Sequence, residues 1–338
     1  MIVVGKVNCQ LLFVYMHEPT FRQALISSWR LVAHKKSLWI FGILSALLGQ
    51  WGISDIVGSL YQTSSRGFQF WDLNVVASYF TAWNWHKVSV ILLLLWLFGI
   101  MLLLFVGVVF LAVSARGAII AYAIHWYKKE KIIPLAEAWH LGVKKFFPLL
   151  IITVVSRLLQ FLIVCLFALL ASYLINYSGF FFSLLIVLSA AVALFLAMVV
   201  EAISIYSSGY LLLRAEHTLD AIKKGWNLFL NHILVTLELG IILLAFSFVF
   251  LVVIIYASLL AFLPSVLLWL VAGFAGLNSL VAFGLYMGMT IYAALVLVVA
   301  GIFNAFVTVS WMYFFMKMHH EGIPSRLIHF LSNIFRKN

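Results

Sequence analysis

Arg157, Glu201 and Glu238 each stand inside a long apolar stretch of this chain. A charge in hydrocarbon has to find a counter-charge or water. Such residues therefore serve either as a relay for protons or substrate, or as an ion pair that fixes helix register. Arg157 lies about nine residues past the start of its stretch, and Glu201 about 13 before Arg214, where the next stretch ends. In consecutive antiparallel helices those depths coincide, so the spacing predicts an Arg157–Glu201 ion pair. Glu238 is about five residues into its stretch and can meet the surface. Asn304 and Thr308, four apart, share a helix face, whereas Ser310 points elsewhere. They suit interhelical hydrogen bonding or the lining of a pore. Gly284 and Gly288 form a small-xxx-small step suited to close helix packing.

No catalytic constellation accompanies these groups. His319-His320-Glu321 puts adjacent imidazoles about 100° apart on a helix, which argues against a chelate and for a solvated interfacial cluster. There is no Walker lysine loop, HExxH, GxSxG or paired cysteine motif, so no metal and no cofactor is expected. Cys9 and Cys165 cannot form a disulfide framework. Tyr122 and His125 read as interfacial anchors.

The elements that position these residues are membrane helices. Hydrophobic residues make up 66% of the 338 positions and charged ones 9%, with a mean hydropathy of +1.16, which no water-soluble domain could cover. The net charge of +11 might suggest nucleic acid, but the cations cluster beside apolar stretches, so no nucleic-acid partner is expected. The fold expected is all-α: six transmembrane helices in three hairpins, each hairpin preceded by an amphipathic interfacial helix.

Residues 1–17 read as a leader, either disordered or membrane-skimming, or lying largely ahead of a true start at Met16. Glu18-Pro19-Thr20 then opens an amphipathic helix with Phe21, Leu25, Trp29 and Val32 on one face. A short span follows over 37–54. The aromatic-rich stretch 55–87 suits a loop resting on the interface, with a turn at 64–67. The second span covers 88–113, and its helix continues towards Lys128. After Pro134 comes a second surface helix, which Pro148 is expected to end. Spans over 149–177 and 180 to about 208 follow, joined by a turn at 176–179. The third surface helix has Leu219, Ile222, Trp226, Phe229 and Leu230 on its apolar side and leads into a fifth span. Pro264 is expected to break that span, leaving SVLLWLVAGFAGLNS as an outer hairpin before a sixth over 280–316. Residues 319–338 form a basic amphipathic helix.

Ala24, Ala138 and Ala221 align three copies of one unit, over about 18–131, 132–215 and 216–318 of a single membrane domain at 18–318. With both termini inside, the inner segments hold 18 Lys and Arg and the outer ones two, Arg66 and Lys87. The positive-inside rule thus places both termini in the cytoplasm of a bacterium, the chain being multi-pass in the inner membrane.

The segment FRQALISSWRLVAHKKSLWIFGILSALLGQWG, with LAEAWHLGVKKFFPLL and LDAIKKGWNLFLNHILVTL, resembles bacterial polytopic membrane proteins of uncharacterised role. These are similar to the six-helix membrane domain attached to some glycerophosphoryl diester phosphodiesterases. The resemblance covers most of residues 20–318 and implies a membrane domain. It carries no functional residue across, because the motif is amphipathicity and the phosphodiesterase's soluble barrel has no counterpart here.

The expected function is non-catalytic: a membrane-organising or lipid-interacting component of an assembly, homo- or hetero-oligomeric. Its partners would be the bilayer and anionic phospholipids. The cations placed to meet headgroups are Arg22, Arg30, Lys35, Lys36, Lys144, Lys145, Lys223, Lys224, Arg326 and Arg336. The same surface helices could instead pack together as a collar. The alternative is a transporter or permease using Arg157, Glu201 and Asn304. A membrane-embedded lipid enzyme ranks third.

Overall fold

The structure, a computed structural model, describes residues 20–47, 88–128, 133–177, 179–214, 217–275 and 278–321. The leader, the first outer stretch with its turn, and the C-terminal helix with Arg326 and Arg336 lie outside the described residues, as does the first span beyond Leu47. All regular structure among the described residues is helical. In chain order the helices are α1 (Thr20–His34), α2 (Ser37–Ala46), α3 (Val88–Tyr127), α4 (Leu135–Lys144), α5 (Phe146–Leu174), α6 (Phe180–Arg214), α7 (Thr218–Asn231), α8 (Ile233–Ala275) and α9 (Asn278–Glu321). Five of them, α3, α5, α6, α8 and α9, are long and apolar enough to cross a membrane. The chain is thus all-α, with the helices of a polytopic membrane protein.

Long helices α3, α6 and α9 touch one another and form the centre. The helices α2, α5 and α8 pack around them, α2 between α3 and α9, α5 mainly on α6, and α8 mainly on α9. Each amphipathic helix seats on one central helix: α1 on α9, α4 on α3 and α7 on α6. The contacts fall along the C-terminal parts of the central helices, at Ser114 and Ala118 of α3, Ser207 of α6 and Phe306 and Phe314 of α9.

The seating depends on small residues. Ala24 and Ser28 of α1, Ala138 and Gly142 of α4, and Ala221 and Gly225 of α7 are all buried, at matching four-residue steps. A Cβ at Gly142 would strike the Ser114 carbonyl of α3, and one at Gly225 would strike Ser207 of α6. Of the apolar faces read from the sequence, Phe21, Val32 and Phe229 are buried. Trp29, Leu219, Trp226 and Leu230 are exposed, while the small residues beside them make the closest approach. Helix backbones come together where side chains are short, and large apolar groups are left to face lipid.

Two prolines behave differently from expectation. Pro148 does not end the second surface helix; that helix ends at Lys144, and Pro148 lies in the first turn of α5. There its missing N–H removes no hydrogen bond. Pro264 does not break the fifth span, because α8 continues through it to Ala275. One lost backbone bond costs less than unwinding several peptide groups in an apolar setting. Residues 265–275 of the expected outer hairpin are therefore helix, with Trp269 Nε1 donating to the Val281 carbonyl of α9 at 3.1 Å. Gly284 and Gly288 lie against Trp269 and Ser265, the close packing their spacing suggested. Gly179, at φ +148°, supplies the turn between α5 and α6.

Candidate functional site

Helix α5 carries Thr153, Ser156, Arg157 and Gln160 at positions i, i+3, i+4 and i+7, a polar stripe on an otherwise apolar rod. Thr153 and Ser156 satisfy their hydroxyls locally, donating to the carbonyls of Leu149 and Thr153 at 2.8 Å each. Arg157 and Gln160 are left to reach sideways toward α6, where Glu201 is the one charged residue between Phe180 and Leu213.

The expected Arg157–Glu201 pair is present, but as the looser arm of a larger cluster. Arg157 Nη2 lies 3.9 Å from Glu201 Oε2. The close partner is Arg116 of α3, whose Nη2 donates to Glu201 Oε1 at 2.6 Å. Gln160 bridges the remainder: Arg157 Nη1 donates to Gln160 Oε1 at 2.7 Å, and Gln160 Nε2 donates to Glu201 Oε2 at 3.1 Å. Two guanidinium groups therefore hold one carboxylate. Side-chain exposure rises from 11% at Arg116 through 22% at Glu201 to 30% at Arg157. Arg157 is the open end of the cluster.

Arg116, one of the 18 cations assigned to the inner segments, is instead buried in the core. Its depth could have been read beforehand. Arg116 is the single Lys, Arg, Asp or Glu between positions 88 and 127, and it stands twelve residues before Lys128. Along a helix that is about 18 Å, against about 16 Å for Arg157 from the start of α5 and about 20 Å for Glu201 from Arg214. The three depths agree. The flanking run Ala112-Val113-Ser114-Ala115, followed by Gly117-Ala118, is also the composition of a packed helix face.

Asn304 of α9 joins the cluster from the other side. Its amide donates to Ser45 Oγ at 3.1 Å and lies 3.5 Å from the Gly42 carbonyl, tying α9 to α2. Thr308 is buried one turn further along. A cavity of about 150 Å³ is lined by Arg157, Glu201, Asn304, Ser247 and Trp311 together with apolar side chains of α6, α8 and α9. A second, of about 20 Å³, lies among Ser45, Arg116, Thr153, Arg157, Glu201 and Asn304, enough for one water.

Glu238 lines neither cavity. It is two residues from Gly240, which faces the larger one, and so lies about 200° around α8 from that face. Arg22, Arg30, Lys35, Lys36, Lys144, Lys223 and Lys224 are exposed on or beside the amphipathic helices, and Lys145 is partly exposed. His217, Asp220, Lys223 and Lys224 line an open groove at the start of α7. His319 stacks on Phe315, with the Tyr210 hydroxyl 3.4 Å from its Nδ1. Among the described residues no group of three or more His, Cys, Asp or Glu is arranged to hold a metal. Compared with known proteins, the chain matches no family model, no curated protein and no solved structure.

Proposed function

We propose that this chain is a non-catalytic, lipid-interacting membrane organiser of a bacterial cytoplasmic membrane. It is built as three repeats of a surface helix and a hairpin, giving six crossings with both termini inside. The observation that carries this reading is the double-sided character of α1, α4 and α7. One side of each packs by small residues onto a central helix. The other presents cations, beside large exposed apolar groups on α1 and α7: Arg30 with Trp29 and Lys223 with Trp226, while Lys144 at the end of α4 stands near Phe147 of α5. That combination suits an anionic headgroup layer, where the cation meets phosphate and the aromatic or aliphatic body enters the acyl boundary. The seating of α1 on α9, α4 on α3 and α7 on α6 supports the threefold plan. The resemblance to the membrane domain found beside some phosphodiesterases agrees with it and adds no catalytic residue.

The test is lipid enrichment around the full chain in native nanodiscs of mixed zwitterionic and anionic lipid. Anionic lipid in the protein's shell is expected to exceed its bulk share. Replacing Lys144, Lys223 and Lys224 by Glu is expected to lower that excess about twofold or more, each cation near the surface contributing about 1 kcal/mol. A wild-type shell with the bulk composition would refute the reading. The topology is tested separately, by labelling single cysteines at Ser65 and Lys223, expected on opposite sides.

A second reading, transport, is favoured by the 150 Å³ cavity with Arg157, Glu201 and Asn304 on its wall. Glu201 is poorly placed to be a proton carrier, since both its oxygens already accept hydrogen bonds, from Arg116 and Gln160. To exchange a proton it would have to give those up.

A further inference from the structure

We propose that Arg157 is the receptor for a small oxyanion carried on a lipid, a carboxylate or phosphomonoester that enters sideways between α6 and α8. The inference rests on the lipid-interacting reading and gives it a defined site. Arg157 has an unused edge. Its Nη1 is committed to Gln160, but Nη2 stands 3.9 Å from Glu201 and the buried Nε has no hydrogen-bond partner among the described residues. The Nε and Nη2 edge is the two-pronged face by which arginine grips carboxylate and phosphate. Glu201 cannot fill it without leaving Arg116 and Gln160. The cluster also carries one more guanidinium than carboxylate, an excess that an incoming anion would neutralise.

The surroundings select the form in which the anion arrives. Beyond Arg157, Glu201, Asn304, Ser247 and the Trp311 indole, the cavity wall is aliphatic and aromatic. Leu194 of α6 and Leu244 of α8 line it and are also 59% and 41% exposed, so the cavity reaches the apolar outer face of the bundle. Helices α6 and α8 make few contacts with each other, and Met198 of α6 lies against Gly240 of α8 on the cavity wall. An acyl or isoprenoid tail can pass between them while its head reaches Arg157. A volume of about 150 Å³ admits a carboxylate or phosphate.

The test is native mass spectrometry of the full chain from zwitterionic nanodiscs doped with phosphatidic acid or a long-chain fatty acid. Wild type is expected to retain one such lipid. Arg157→Gln and Arg157→Lys, which remove the two-pronged edge, are expected to lower its occupancy tenfold or more, and Leu194→Trp at the mouth several-fold. Arg116 and Glu201 remain paired in all three, and a melting curve confirms that each variant is folded. Lys223→Gln with Lys224→Gln is expected to leave the retained lipid in place while reducing general anionic enrichment, which separates this site from the surface reading. Retention of the lipid by folded Arg157→Gln, absence of a retained lipid in wild type, or displacement by inorganic phosphate from the aqueous phase would each overturn the proposal.

Discussion

The two halves of α3 are both apolar, yet their surroundings are opposite. From 91 to 106 the helix is Leu, Ile, Phe, Trp, Met and Val with one glycine, and nearly every side chain is exposed. From 112 to 124 every residue is buried, and the composition turns to Ala, Ser, Gly, Ile and Tyr around Arg116. Apolarity alone does not decide which half packs, because lipid and protein interior are both apolar. Side-chain size does. Where helices meet in an apolar medium, the gain comes from close backbone approach and satisfied polar groups, which favours short side chains and tolerates a paired arginine. Where the helix meets hydrocarbon, bulk costs nothing. The ionic cluster sits in the packed half, and the contrast predicts where substitutions will hurt.

The largest effect is expected at Glu201. Glu201→Gln leaves Arg116 and Arg157 buried without their counter-charge and is expected to cost about 3–5 kcal/mol, read as a lower melting temperature and lower folded yield in detergent. Replacing all three charged residues together by Met and Leu should recover most of that loss, since an apolar cluster of similar volume removes the unpaired charges along with the pair. If the single variant melts like wild type, the packed half does not depend on its ionic cluster. Next comes glycine. A Cβ at Gly42 of α2 falls on the Gly301 carbonyl of α9, and backbone atoms cannot move aside as a side-chain tip can. Gly42→Ala is expected to destabilise by about 1–3 kcal/mol, whereas Gly99→Ala and Gly107→Ala in the outer half, where nothing lies within 4 Å, should be neutral or slightly stabilising. Equal effects at the three positions would erase the distinction between halves.

This contrast also explains what could be read beforehand. Helical class and the long apolar segments follow from composition and run length, and α3 runs to Tyr127 as its sequence suggests. Glu201 and Arg157 were found because charge in an apolar run stands out. Arg116 was missed because it was counted with the inner cations, although eleven uncharged or aromatic residues, His125 among them, lie between it and Lys128. The apolar sides of α1 and α7 were legible from their helical spacing, but the small residues on which they seat were not. In an apolar medium the choice falls on Ala24 with Ser28 and Ala221 with Gly225. Pro264 was read by the rule for helices in water, where freed peptide groups have solvent to turn to.

The smallest effect is expected where the packed half meets water, at His232 between α7 and α8. Its backbone N–H reaches the carbonyls of Leu228 and Phe229, both at 3.1 Å, which holds the residue in the joint. Partial burial pushes the imidazole pKa below its ordinary value. The unfolded chain therefore takes up this proton first as the pH falls through about 6.5, and the folded state loses stability until its own lower pKa is passed. Wild type is expected to melt lower at pH 5 than at pH 7 by slightly more than His232→Gln does, because Gln keeps the polarity and removes the titration. Only the difference between the two slopes is diagnostic, since the chain's other histidines contribute to both. An identical slope in the variant would place His232 in water in both states, and the boundary of the packed half would then lie beyond the joint, within α8.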